Sequence, residues 1–446
     1  MFNSAGLAHS LRAHPKANIV AHVLASAFEA VEPGAAVKKY LREHSLPFGQ
    51  RIFAFGLGKA ACAMTQALID EILLEDVLVI TKQASSLTFR HGFDKLNPAA
   101  QGTVLRPVNV IEGNHPIPGE ASLKAGAAVN KFLSQLTRDD LLVCLISGGG
   151  SALMAAPRVP LEDLQLLTSA LLASGARIDE INILRRHLDP LKGGGVAGFA
   201  NGARVVALLL SDVVGDQLEA IASGPTAPDP TTQADALSVI EKYNLKDKIP
   251  ASIIPAFEET LKPASPIFER VQNTIVASNS LALQAAQTQA GILGFQVKII
   301  NTELQGEARI KGKEIALQFK ESLQTLRPPF CLLAGGETTV TLHGAGRGGR
   351  NQELALAAVD LLAGLQGVML VSIATDGEDG PADAAGAFVT GETAQRAESL
   401  GMFTVDYLSR NDAYSYFDQI DQLVKTGPSG TNVNDLALCF AFNEFS

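Results

Sequence analysis

The apolar residues of this chain follow two rhythms. Short blocks without polar alternation are separated by longer stretches in which apolar residues recur at helical spacing. Ile19, Val20, Val23, Leu24 and Phe28 share one helical face, and Val31, Val37 and Leu41 form a second stripe, so helix is predicted across 7–46. A strand over 51–55 runs into GLGKAA and a helix to about residue 71. Further strands are read at 77–80 and 108–111, then a helix from about residue 121, leucine-rich helix over 161–175, and a strand at 204–210. The second half repeats the scheme, with strands at 274–277, 296–300, 330–333 and 368–374, helices to about residue 293 and from GEA at 306–308, and a long helix after GAGRGGRNQE. Strand–helix alternation, each strand ending in small and polar residues, predicts open parallel α/β domains, whose ligands sit beyond the carboxyl ends of the strands. Four prolines in a polar setting between Pro250 and Pro266 mark a boundary, dividing the chain into 1–265 and 266–446.

The centre of the pattern is LLVCLISGGGSAL. Its apolar run reads as a strand buried on both faces, and it opens into Ser147, Gly148, Gly149, Gly150 and Ser151. Consecutive glycines permit positive φ and leave backbone N–H groups uncovered, as an anion cradle requires. A tight strand-to-helix turn needing small residues gives the same sequence.

Composition narrows the classes. The 446 residues are 47% hydrophobic, with 40 glycines and no tryptophan, a globular α/β enzyme's usage. A net charge of −10 argues against a broad nucleic-acid surface, so any anion site must be a local gathering of Lys and Arg. Cys62, Cys144, Cys331 and Cys439 are scattered singly without zinc spacing, as in a reducing compartment. No apolar run approaches the ~20 residues of a membrane span and no signal peptide is evident, so a cytoplasmic protein is expected.

GLGKAA fits G-x-G-x-x-A after a strand, a dinucleotide pattern in which Gly56 and Gly58 would face phosphate. The acidic ribose partner is missing, because VLVI ends in Thr81 and Lys82. Lys59 inside the loop suits phosphate, or is a solvated lysine beside a packing turn. SDVVGD places Asp212 and Asp216 after a strand, and TDGEDG places Asp376 and Asp379 after another. Such carboxylates hold Mg²⁺ where phosphates supply the other ligands, or cap helices. RRHLDPLKGGG offers Arg185, Arg186, His187 and Lys192, and GAGRGGRNQE offers Arg347 and Arg350 on glycine beds that would leave a guanidinium open to ligand. His115 in GNHPIP is a proton-transfer or a structural histidine. There is no GxxxxGK[ST], protein-kinase set or G-x-S-x-G. Glycine loops, isolated cations and acidic strand ends are the equipment of phosphoryl transfer.

Together GLGKAA, EGNHPIPGEASL, LISGGGSALMAAP, RRHLDPLKGGGVA, LSDVVGDQLEAIASGPTAPDPTT, GGETTVTLHGAGRGGRNQELALAA, ATDGEDGPADAAGA and GPSGTNVNDL, in this order over roughly residues 15–440, resemble the glycerate 2-kinase family, the class II glycerate kinases with a C-terminal MOFRL region. The resemblance implies two α/β domains, a larger Rossmann-like parallel-sheet domain and a smaller MOFRL domain, with the active site in the cleft between them. It implies ATP- and Mg²⁺-dependent phosphorylation of D-glycerate at C2, with no nucleic-acid or membrane partner, by a monomer or homodimer. The family's essential lysine and arginine fall on Lys59 and Arg350, and its glycine loop on residues 147–151. Substrate contacts are read at Arg185, Lys192, His115 and Glu337, and metal ligands at Asp212, Asp216 and Asp376. Asp189 departs from an expected serine, Ala374 from a glycine and Gly119 from an aspartate. Some members carried the name hydroxypyruvate reductase, which makes an NAD(P)H-dependent reductase the competing expectation.

Overall fold

A computed structural model describes residues 4–12, 14–91 and 104–443. The chain forms two compact units. One holds Pro33–Ser211 with Asp216–Val276, the other Met1–Glu32, Asp212–Gly215 and Ala277–Ser446.

The first unit is built on β1 (Ile52–Leu57), β2 (Asp76–Thr81), a small antiparallel pair of β3 (Thr88–His91) and β4 (Val104–Pro107), β5 (Asn109–Glu112), β6 (Leu141–Ile146), β7 (Arg204–Leu210) and β8 (Val271–Ala277). The main sheet has the order β5-β2-β1-β6-β7-β8, and the pairs from β5 to β7 are parallel. β6 has no polar residue and every position is buried, because helices cover both faces of a parallel sheet. Its neighbours align so that Phe55, Cys144 and Ala207 sit side by side, and β1 and β6 therefore deliver their glycine loops to the same edge. Beside the sheet, helices Leu161–Ala173, Ile178–Leu188 and Gln233–Lys242 bury Leu164, Leu167, Leu171, Leu184 and Val239 in a core of their own. Thr232 starts the last of these as a capping box, its hydroxyl accepting from the Asp235 N–H and the Asp235 carboxylate from the Thr232 N–H.

The second unit corrects the expectation of parallel sheets throughout. Its strands are β9 (Gln296–Glu307), β10 (Phe330–Thr339), β11 (Val368–Ala374), β12 (Gly386–Thr390), β13 (Leu423–Val424) and β14 (Asp435–Ala441), in the order β13-β12-β11-β14-β10-β9. Only β9 and β10 pair in parallel; β14 enters between β10 and β11 and runs antiparallel to both. DLALCFA is an unbroken buried run that would suit either direction, since burial pattern carries no information about strand polarity. β9 also runs through the polar stretch to Glu307, an edge strand whose outer side meets water.

The units part between Val276 and Ala277, so β8 stays with the first sheet and the polar proline stretch lies inside the first unit. Helix Ala17–Ala30 belongs to the second unit. It buries Val20, Val23, Leu24 and Phe28 and packs on helix Asn279–Ile292.

Candidate active site

In the first unit, the loops after β1 and β6 interlock. The N–H of Gly58 donates to Ile80 O, that of Lys59 to Gly148 O (3.0 Å), and that of Ala60 to Ser147 Oγ (3.0 Å). Gly58 has φ 119°, and a Cβ on it would lie 2.3 Å from Ser147 Oγ. Gly56 is inside β1, where a Cβ would press on Thr65 and Val79. The GLGK glycines thus serve close packing and spend their N–H groups on protein, which corrects the reading of Gly56 and Gly58 as phosphate contacts. The SGGGS loop is different. Gly149 takes φ 85°, and among the described residues the N–H groups of Gly148, Gly149 and Gly150 find no acceptor.

Cations surround this loop. A Cβ at Gly149 would stand 3.3 Å from Lys59 Cγ and Cε and 3.3 Å from His115 Cδ2. Burial first, then the charges of Lys59, Lys82 and Arg185, hold His115 below its ordinary 6.5. The ring is therefore neutral at pH 7, able to hydrogen-bond but not to add a charge. Among the described residues no carboxylate pairs with Lys59, Lys82 or Arg185. Burial alone depresses Arg185, whose Nη1 donates to Asn182 Oδ1 (3.3 Å). Ser223 Oγ donates to the same Asn182 oxygen and meets Ser151 Oγ at 2.7 Å, so the loop's last serine is tied to the helix bearing Arg185. Ala222 and Ser223 hold left-handed φ of 52° and 62°, strain of the kind that collects at functional sites. Lys82 escaped the sequence reading, where it counted only as a missing acid.

In the second unit, Arg350 opens helix Arg350–Leu362 and is not bare. Nε and Nη2 grip Asp435 at 2.6 and 3.1 Å, and Nη1 reaches Glu337 at 2.6 Å. Burial pushes the Asp435 carboxyl up against the opposing pull of Arg350. The glycine before Arg350 serves a different partner: a Cβ on Gly349 would lie 2.3 Å from Asp379 Oδ1. The Asp379 carboxylate accepts the N–H groups of Asn351 (3.0 Å) and Gln352 (2.8 Å), capping the helix. Arg347 stacks on the Tyr414 ring at 4.2 Å. Asn279 braces the same place, its amide donating to Val433 O and Asp435 O, both at 2.9 Å.

The family comparisons agree with this chemistry. Residues 19–258 match a domain of unknown function (DUF4147), and residues 330–435 match the MOFRL family. The chain is 40% identical over 402 residues to the glycerate 2-kinase of Pyrococcus horikoshii, covering 87% of each. It is 40% identical over 426 residues to the D-glycerate 2-kinase of Thermotoga maritima, covering 93% of this chain and 96% of that one. The chain belongs to the glycerate 2-kinase family. The crystal structure of the Thermotoga maritima glycerate kinase superposes with a TM-score of 0.84 at 39% identity, over 95% of this chain and 98% of that one.

Against the glycerate 2-kinase pattern, two departures have physical accounts. Asp189 and Lys192 form a buried pair at 2.6 Å, with the ammonium also on Met154 O (2.9 Å). Lys192 is thus committed inside the fold, a correction to its reading as a substrate contact, and Asp189 is its counter-charge. Gly119 leaves the first turn of helix Glu120–Leu133 to Asn114, whose Oδ1 accepts the Ala121 N–H at 3.1 Å. A Cβ at 119 would lie 2.5 Å from that oxygen. Arg186 is likewise internal, on Asp229 at 3.0 Å.

The acidic strand ends divide. Asp212 lies half-buried in the segment assigned to the second unit, while Asp216, at φ 54°, is half-buried in the first. Asp376 spends Oδ1 on the Glu378 N–H (3.1 Å). Among the described residues, no group of three or more His, Cys, Asp or Glu side chains is placed to hold a metal ion. No described helix is long and apolar enough to cross a membrane.

Proposed function

We propose that this chain transfers the terminal phosphoryl group of ATP to the C2 hydroxyl of D-glycerate, giving 2-phosphoglycerate and ADP. The observation that carries the reading is the loop at 147–151, whose glycine N–H groups find no acceptor among the described residues, beside the cations Lys59, Lys82 and Arg185, which no described carboxylate pairs. Cradle N–H groups and fixed cations supply what a loose phosphoryl-transfer transition state needs, which is alignment and neutralisation of charge more than a strong base. The loop holds the nucleotide phosphates, and the exposed Lys59 beside it meets the phosphoryl group. Arg350 takes the glycerate carboxylate. Asp435 fixes its orientation through two bonds, while Glu337, on the solvent side, yields its nitrogen to the substrate. The cofactor ion Mg²⁺, bound to ATP, would neutralise phosphate charge and need only one or two carboxylates alongside the phosphate oxygens. Asp212 and Asp216, both half-buried, would supply those carboxylates, and Asp376 has one carboxylate oxygen left for it. We place the enzyme in the cytoplasm, in keeping with its four free cysteines.

The test is an ADP-release assay with D-glycerate, L-glycerate and hydroxypyruvate, with the product read by phosphorus NMR. D-glycerate-dependent ADP release and a 2-phosphoglycerate signal are expected. Initial formation of 3-phosphoglycerate, or NADH oxidation with hydroxypyruvate in place of ADP release, defeats the reading.

A further inference from the structure

A second basic cavity lies at the opposite edge of the first sheet. It occupies about 400 Å³ and is lined by Arg138, Arg204 and Arg270 together with Asp139, Asp140 and Phe48. Arg204 is the first residue of β7, and Arg138 and Arg270 come just before β6 and β8, so the cavity sits where the strands begin. The glycine loops sit where the strands end. A six- or seven-residue strand separates the two by about 20 Å, too far for one nucleotide or sugar acid to reach both.

The charges here are unbalanced. Arg51 nearby is fully engaged by Asp140, at 2.7 and 3.0 Å. Among the described residues, none of Arg138, Arg204 and Arg270 has a carboxylate within ion-pair distance. Of the two lining carboxylates, Asp140 is the one spent on Arg51, which leaves three guanidinium groups facing Asp139, in a chain whose net charge is −10. Arg270 Nη2 donates to Arg138 O at 2.9 Å, but its Nε is shut from water with no acceptor among the described residues. A guanidinium N–H closed to solvent and unbonded is costly, and mutual repulsion adds to the cost. An oxyanion in the cavity answers the repulsion, since planar forks take carboxylate or phosphate with paired bonds.

We propose that this cavity is a second ligand site, separate from the phosphoryl-transfer centre, for a small polyanion bearing at least two phosphate or carboxylate groups. The volume suits a small metabolite, and three cations against the one carboxylate not already paired, Asp139, call for more than one negative charge. Phe48, 76% exposed, offers an apolar wall to a carbon skeleton.

Titration calorimetry of the full-length protein tests it, with inorganic pyrophosphate in one arm and citrate in the other. The Lys59→Ala background keeps binding at the glycine loop out of the reading. Binding of at least one probe is expected to survive Lys59→Ala. It should weaken roughly tenfold or more in Arg204→Gln and in Arg270→Gln, each charge-assisted bond being of that order. Arg204 is exposed, so its variant keeps the fold, and unliganded melting temperatures check Arg270→Gln. The stronger arm distinguishes a phosphate from a carboxylate ligand. The proposal is overturned if neither probe binds, or if binding is indifferent to both substitutions. Neither outcome bears on glycerate phosphorylation.

Discussion

Gly58 and Ser147 are in such close contact that a single methyl group on Gly58 would sit 2.3 Å from the Ser147 hydroxyl oxygen. That contact fixes Lys59 against the SGGGS loop. Gly58→Ala must both move the loop and hold φ at 119°. Turnover over KM is expected to fall by at least tenfold, with about 1–3 kcal/mol of stability lost. Gly175→Ala is the control. Its φ of 73° is also left-handed but a Cβ there meets nothing, so it should lose stability and keep activity. Kinetics and melting temperatures of both variants decide whether the contact matters beyond strain.

His115 should titrate below 6.5 in proton NMR, because burial and three cations disfavour its charged form. The unfolded chain then binds the proton more readily than the folded one. The stability His115 contributes is therefore complete above about 6.5 and is lost as pH falls through the folded midpoint. Adding a non-hydrolysable ATP analogue should raise the midpoint, since phosphate charge cancels the field of Lys59, Lys82 and Arg185. An unmoved midpoint counts against nucleotide at this loop.

Asp189→Asn leaves the Lys192 ammonium buried without its counter-charge, and about 3–5 kcal/mol of stability should go with it. Lys192→Met should cost less. The carboxylate left behind still accepts the N–H groups of Ala156 and Leu191, both at 3.0 Å. Denaturant melts of the two variants compare the costs directly.

Arg350→Lys keeps the charge but cannot span both Asp435 oxygens. One lost charge-assisted bond is worth ~1.5–3 kcal/mol, so turnover over KM should drop on the order of ten- to a hundredfold. Asp435→Asn should show a drop of similar size through misorientation of the same guanidinium. Arg347→Lys should be mild, because its contact is a Tyr414 ring that accepts either cation. Wild-type kinetics in Arg350→Lys, or losses that merely follow melting temperature, refute the clamp.

Asp212→Asn removes charge and keeps shape. A severe loss of turnover at ordinary Mg²⁺, larger than any change in melting temperature accounts for, is expected. Near-wild-type turnover assigns the metal contact elsewhere.

Much of the molecule was legible because its apolar blocks have sharp ends. β7 and β11 run over 204–210 and 368–374, as the pattern predicts. Strand direction was not legible: β14 is as apolar as a parallel strand and runs antiparallel. The glycine loop and its lysine were readable as types, but the partition of their N–H groups depends on which loop lies beside which. Lys82 looked like the absence of an acid until β2 brought it toward His115. Lys192 looked like a ligand contact because a sequence shows a charge and not its counter-charge. Asp435 was hidden for the converse reason: nothing in VNDLAL announces that Arg350, far away in the chain, needs a fixed anion.

The position of β14 has a consequence for biosynthesis. The strand fills the middle of its sheet, between β10 and β11, yet it is the last of that sheet's strands to leave the ribosome. Helix Ala17–Ala30 belongs to the same unit and precedes all of that sheet's strands in the chain, so it waits for them. The unit formed by Pro33–Ser211 and Asp216–Val276 can close in the meantime. A nascent chain halted before residue 435 lacks a sheet centre and the carboxylate that orients Arg350, both at once. Premature termination therefore yields no half-active enzyme, only an open apolar gap for chaperones and proteases to find.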